Sequence, residues 1–400
     1  MSKAKHSPLI TLIISLMAIG FTFISISSLT ESSNTAGNRF YFLSRQGFWI
    51  IISLLAFFLF SKVKLNLVKK ISAIFYFFSI VCLILVLIPG LSNSILGARR
   101  WLNLGPLSFQ PSELLKLSSV IYFANLFSQE SKKTFLNLLI YLIGPFILIM
   151  LEPNLSTALL IFAISVSMFY LSGGKIAPII SLCLCFIFLA FILVITSPYR
   201  LNRLQALFNP QQTASYHNDQ IILSLSSGGF FGKGFANSDQ KYRFLPKVST
   251  DSILAIIGEE MGFLGTITIV IIYTLLITHL IKASFLIKDQ FASLIVSGTA
   301  CWISFQALIN IAAIANIIPL TGVPLPFVSY GGSSLLTLMI AIGLTHNIEK
   351  QHGLLLYSDN DQKNPPRRHS PNSSLRTHSS TAKRPKSKMA NKLHRETFKL

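Results

Sequence analysis

Apolar stretches of roughly 20 residues, the length a helix needs to cross the hydrocarbon core of a bilayer, recur along the chain with short polar joins between them. Ten are expected, near 9–29, 47–61, 70–90, 111–128, 134–151, 154–172, 177–197, 255–281, 291–314 and 326–348. The fourth is the least apolar. A membrane β-barrel would show weak alternating segments instead. The predicted fold is therefore all-α: a polytopic membrane protein, a bundle of about ten transmembrane helices. The longest polar interruption within it, Pro198–Thr250, joins spans seven and eight. After about Gly353 the pattern stops and Pro, Ser, Lys and Arg take over. Two domains follow: residues 1–350 as the transmembrane domain, and residues 351–400 as a basic, disordered tail.

Composition sharpens this picture. Of 400 residues, 52% are hydrophobic and 12% charged, and mean hydropathy is +0.60. A soluble domain carries about 25% charged residues. The net charge of +20 would suit nucleic acid, but its placement points elsewhere. Lys62, Lys64, Lys69 and Lys70 follow span two, Lys132 and Lys133 follow span four, Lys175 follows span six, and Lys282 and Lys288 follow span eight. Basic residues in alternate short loops mark the cytoplasmic side. No nucleic-acid partner is expected. Both termini are expected in the cytoplasm, with the long loop outside the cytoplasmic (inner) membrane. Lys3 and Lys5 precede a first span expected to be retained, not cleaved. The tail is open to two readings, contact with anionic membrane lipid or simple solubilisation. Cys82, Cys183, Cys185 and Cys301 lie in apolar runs and read as small buried hydrophobes.

Polar residues in this setting mark candidate chemistry, because ionisable groups at membrane depth are costly. Glu113 and Lys116 are three apart and share one helix face. They form either a functional pair or a structural one. Arg99, Arg100 and Trp101 precede them, as phosphate ligands or as headgroup anchors. In GluProAsnLeuSerThr (152–157), Asn154 or Ser156 suits a helix cap. ThrGlyValProLeuProPheValSerTyrGlyGlySerSer (321–334) must break any helix, and irregular backbone at membrane depth lines a cavity or is buried in protein. Asp251, in Thr-Asp before an apolar run, reads alone as an N-cap ahead of a catalytic acid. Glu259 and Glu260 follow about two turns on, to set helix depth or pair with basic groups. GlyGlyPhePheGlyLysGly (228–234) is glycine-rich but lacks the strand of a phosphate loop. No metal-ligand spacing is present, so no metal site is expected.

The runs GlyAlaArgArgTrp, GlnProSerGlu with Lys116, GluProAsnLeuSerThrAla, SerGlyGlyPhePheGlyLysGly, ThrAspSerIleLeuAlaIleIleGlyGluGluMetGlyPheLeuGly and ProLeuProPheValSerTyrGlyGlySerSerLeu occur in this order from about Ser7 to Lys350. Together they resemble the SEDS family (shape, elongation, division and sporulation), most closely its division type, with the elongation type as the alternative. The resemblance implies a ten-span bundle that polymerises peptidoglycan from lipid II, the undecaprenyl-pyrophosphate-linked disaccharide peptide. It also implies a class B penicillin-binding protein as transpeptidase partner. The family's essential acid falls on Asp251, which reverses the capping reading. Arg99, Arg100, Gln110, Glu113, Lys116, Arg200, Arg203, Lys241, Ser329 and Tyr330 become candidates for substrate binding.

Departures are local. Asn154 stands where the family usually has Asp, Lys247 where it has Glu after a proline, Ser249 where it has His, and His217 where it has Gln. The donor sugar is α-linked and the product β-linked, so the displacement inverts and needs one base on the acceptor face. That assigns proton removal from the acceptor 4-hydroxyl to Asp251, and the departing pyrophosphate to Arg and Lys. A divalent cation is an optional aid to the leaving group. The rival expectation is a lipid II flippase without bond chemistry, for which a base at the outer surface has no use.

Overall fold

A computed structural model describes residues 7–36, 41–95, 98–104, 107–197, 201, 203–205, 216–238 and 250–353. All of these belong to one compact unit within Met1–Tyr357. Of the expected tail, Gln351 ends the last helix and residues 354–400 lie outside the described residues.

The described helices are α1 (Pro8–Ala36), α2 (Tyr41–Phe60), α3 (Leu65–Leu87), α4 (Pro111–Phe127), α5 (Phe135–Leu151), α6 (Leu155–Leu171), α7 (Ile176–Ile195), α8 (Tyr216–Gly228), α9 (Ile253–Leu286), α10 (Gln290–Ile314) and α11 (Gly332–Gln351). Six are long and apolar enough to cross a membrane by length and composition, namely α1, α2, α3, α7, α9 and α10; α5 and α6 are shorter apolar helices. With α4 and α11 they make the expected ten-helix bundle.

One of the less apolar helices, α4, is the most enclosed. Nearly every residue of α4 is buried, including Ser112, Glu113, Lys116, Ser118 and Ser119. In α7 only Ile179 is buried, and Leu184, Ile187, Phe188 and Phe191 are exposed. In lipid the apolar surface gains nothing by turning inward, so small and polar side chains collect between helices and greasy ones face the acyl chains. The same logic acts at close contacts. A Cβ on Gly343 of α11 would sit 2.7 Å from the Phe57 carbonyl oxygen of α2, so only glycine lets these backbones meet. Of the cysteines, Cys82 is buried, but Cys185 is exposed on α7, contrary to the buried expectation.

Three differences from the expected elements matter. Between α3 and α4 lies a three-stranded antiparallel sheet, β1 (Ser92–Ile95), β2 (Ala98–Leu104) and β3 (Leu107–Phe109). Its residues are too few and too mixed to show strand alternation in sequence. The long interruption carries its own helix, α8. The last span begins at Gly332 rather than near 326, because Pro324, Pro326 and the left-handed Phe327 (φ 63°) keep the preceding segment irregular.

Up-down connectivity places the sheet, the α5–α6 turn, the start of α9 and the α10–α11 segment at one end of the bundle. Side chains tie them together. The Arg100 Nε donates to the Glu152 carbonyl at 3.1 Å, the Ser156 hydroxyl to the Thr321 carbonyl at 3.2 Å, and Ser333 accepts from the Gln110 amide at 3.2 Å.

Candidate active site

Asp251 is half-buried just ahead of α9. The N-cap of that helix is Ser252, not Asp251, and the Ser252 side chain makes no capping hydrogen bond. The Asp251 carboxylate instead accepts a short hydrogen bond from the Thr250 hydroxyl at Oδ1. Its other oxygen faces Gly322: a Cβ there would lie 3.6 Å from Oδ2, and the positive φ of 69° further favours glycine. A carboxylate that is not spent on a helix end remains available to a substrate hydroxyl.

The irregular segment beside it is held by donors from neighbouring helices, because a proline-interrupted strand cannot satisfy its own carbonyls. Asn310 Nδ2 donates to the Val323 carbonyl at 2.8 Å and to the Asp251 carbonyl at 3.2 Å. Gln306 Nε2 donates to the Pro324 carbonyl at 2.9 Å. The Tyr273 hydroxyl donates to the Pro326 carbonyl, and Ser329 Oγ accepts from the Leu325 amide at 2.9 Å. Below Gly20, the Val328 backbone leaves no room for a side chain, with 2.5 Å between a built Cβ and the Val328 oxygen.

Glu113 and Lys116 meet at 2.7 Å, both buried. The ammonium also donates to Gln306 Oε1 at 3.0 Å and lies 5.3 Å from the centroid of the Trp302 ring. Trp302 Nε1 donates to the same Gln306 oxygen at 2.8 Å. The ion pair is thus wired to the backbone next to Asp251 and is not at the surface. Neither Gln306 nor Asn310 stood out in sequence, although their four-residue spacing on one helix face was the available signal.

The remaining candidates fall into three sets. Arg100 reaches the carbonyls of Glu152 and Pro153, and Arg203 Nη1 donates to the Leu320 carbonyl at 2.8 Å; both lie at the Asp251 end. Arg99 neighbours Arg100 on β2, where the register with β1 shifts. Ser329 is buried and Tyr330 half-exposed within the irregular segment. Arg200 and Lys241 lie outside the described residues, as do Lys247 and Ser249. Asn154 caps α6, its Oδ1 accepting from the Thr157 amide at 3.4 Å.

Glu152 is a residue that sequence reasoning passed over. It is fully buried, and neither carboxylate oxygen has a hydrogen-bond partner. Burial pushes its carboxyl up to about 8, against the opposing pull of Arg100. The glycine-rich run 228–234 is a clasp, not a phosphate loop. The amides of Lys233 and Gly234 donate to the carbonyls of Glu259 and Glu260 at 2.9 and 3.0 Å. Those carbonyls are released where α9 kinks at Gly262. The Lys233 ammonium meets the Glu259 carboxylate at 3.0 Å, and Ala236 N–H donates to Glu260 Oε2 at 2.9 Å. The two glutamates therefore anchor this run against the kink of α9.

Residues 7–353 match the profile of the FtsW/RodA/SpoVE family, described as "Cell cycle protein". The chain belongs to this family. Over 359 residues it is 31% identical to the "Probable peptidoglycan glycosyltransferase FtsW" of Idiomarina loihiensis, covering 87% of each chain. It is 32% identical to "Stage V sporulation protein E" of Bacillus subtilis, covering 88% of this chain and 99% of that one. Among solved structures, one in a peptidoglycan synthase complex superimposes with a TM-score of 0.71 at 25% identity, covering 89% of this chain and all of that one. RodA of Thermus thermophilus does so with 0.66 at 25%, covering 90% and 99%. The ten-helix arrangement is thus that of the FtsW/RodA/SpoVE proteins.

Proposed function

We propose that this chain is a peptidoglycan glycosyltransferase that polymerises lipid II at the outer face of the cytoplasmic membrane, with both termini in the cytoplasm. The observation that carries the reading is Asp251, a half-buried carboxylate beside Gly322 that does not cap α9, at the loop end of a family-type bundle. A base must sit on the face opposite the leaving group in an inverting displacement. Asp251 takes the proton from the acceptor sugar's 4-hydroxyl as its oxygen attacks the anomeric carbon. The bond from that carbon to the pyrophosphate breaks, and the undecaprenyl pyrophosphate leaves with the electron pair. Arg100 and Arg203, at the same end, would meet the growing charge on the pyrophosphate. Arg99, Arg200, Lys241 and Tyr330 are further candidates for holding the substrate. Glu113, Lys116, Gln110 and Ser329 support it from within, through their contacts to Gln306, Ser333 and Leu325.

The lysines of the opposite loops support the cytoplasmic assignment of that side. A class B penicillin-binding protein is the partner this reading implies, and cell division its setting.

Purified protein supplied with lipid II, with and without that partner, tests the reading. Glycan strands should form, and form faster with the partner. Movement of lipid II across vesicle membranes with no glycan product would establish the flippase instead.

A further inference from the structure

The buried pair Glu113–Lys116 poses a question that substrate binding does not answer. Lys116 is 1% exposed, so in this arrangement its ammonium cannot touch a lipid-linked sugar. Desolvating a charge this fully is expensive and asks for a purpose or a tight network. Its reach ends on Gln306, whose oxygen takes both the Lys116 and Trp302 donors and whose amide nitrogen holds the Pro324 carbonyl. One turn along α10, Asn310 holds the next carbonyl, Val323, and bridges to the Asp251 backbone. Two consecutive carbonyls of the irregular segment are thus gripped by two amides four residues apart, and Gly322, the residue just before them, faces Asp251 Oδ2.

We propose that Gln306 is a positioning residue for Asp251, and that Lys116 acts through it. Lys116 and Trp302 fix the rotamer of Gln306. Gln306 fixes Pro324, which sets the path of Gly322 and the space beside the Asp251 carboxylate. Asn310 closes the strut. The proposal rests on Asp251 as the base. Misplacement of a reacting group by about 1 Å costs on the order of 10²-fold in rate, so turnover should be far more sensitive to this strut than lipid II binding is.

The experiment uses the purified full chain as wild type, Lys116→Met, Gln306→Met, the double variant, and Asn310→Ala. Lipid II affinity and glycan-forming turnover are measured on matched amounts of folded protein. Gln306→Met should lose roughly 10–100-fold in turnover with affinity within about threefold of wild type. The double variant should be no slower than the slower single variant, because the two residues act in series. Wild-type turnover in Gln306→Met, losses that multiply in the double variant, or a parallel fall in affinity would each overturn the proposal. Should Gln306→Met fail to fold, Asn310→Ala combined with Lys116→Met carries the same cycle. Asp251→Asn runs alongside: activity in that variant would remove the base reading itself, whereas an inactive Asp251→Asn with a fully active Gln306→Met would remove only the strut.

Discussion

Asn310 places a single amide nitrogen between two chain segments, 3.2 Å from the Asp251 carbonyl and 2.8 Å from the Val323 carbonyl. From α10 it ties the residue ahead of α9 to the irregular segment opposite it. Removing the donor leaves both carbonyls without it in a buried place.

The first prediction concerns that link. Asn310→Leu conserves approximate volume and deletes the donor. Thermal unfolding in detergent should register a loss of about 1–3 kcal/mol, the cost of orphaning buried acceptors. Stability equal to wild type would mean that water serves these carbonyls as well as Asn310 does.

The ion pair predicts a non-additive pattern. Glu113→Ala or Lys116→Ala alone strands a buried charge and should cost about 3–5 kcal/mol. A double change to leucine and methionine should recover much of that stability, since apolar packing replaces an ion pair at little net cost. Single variants as stable as wild type would mean that water reaches the pair.

Much of this arrangement could be read from the chain before its fold. The ten spans, the shared face of Glu113 and Lys116, and the helix-breaking character of 321–334 all follow from short-range pattern. The position of Asp251 rested on resemblance, because Thr-Asp before an apolar run is locally identical to a cap; only the fold shows that Ser252 occupies the cap. Gln306 and Asn310 were hidden because a Gln and an Asn on an apolar helix have no visible partners until Pro324 and Val323 fold back over them. Glu152 was hidden for the converse reason: it sits in a turn that looks solvent-facing, and the approach of Arg100 from β2 is a long-range event.

Glu152 predicts a pH dependence. Its folded carboxyl holds a proton up to about pH 8, whereas the ordinary value is 4.5. Between those limits the folded state binds more protons than the unfolded state, so this residue's contribution to stability falls as pH rises through the window and levels off above it. Glu152→Gln mimics the neutral form. It should flatten the pH profile of thermal stability between these limits and raise stability near pH 8 by up to about 4 kcal/mol. An unchanged profile would show that Glu152 is solvated.

The base assignment is tested most directly by glycan-strand formation from lipid II with matched amounts of folded wild type and Asp251→Asn. Asn keeps the shape and local hydrogen bonding of Asp but cannot take the proton. Folding and lipid II binding should persist, while polymerisation falls on the order of 10²–10⁴-fold. Polymer from Asp251→Asn at the wild-type rate would contradict Asp251 as the base and leave the ten-helix fold standing.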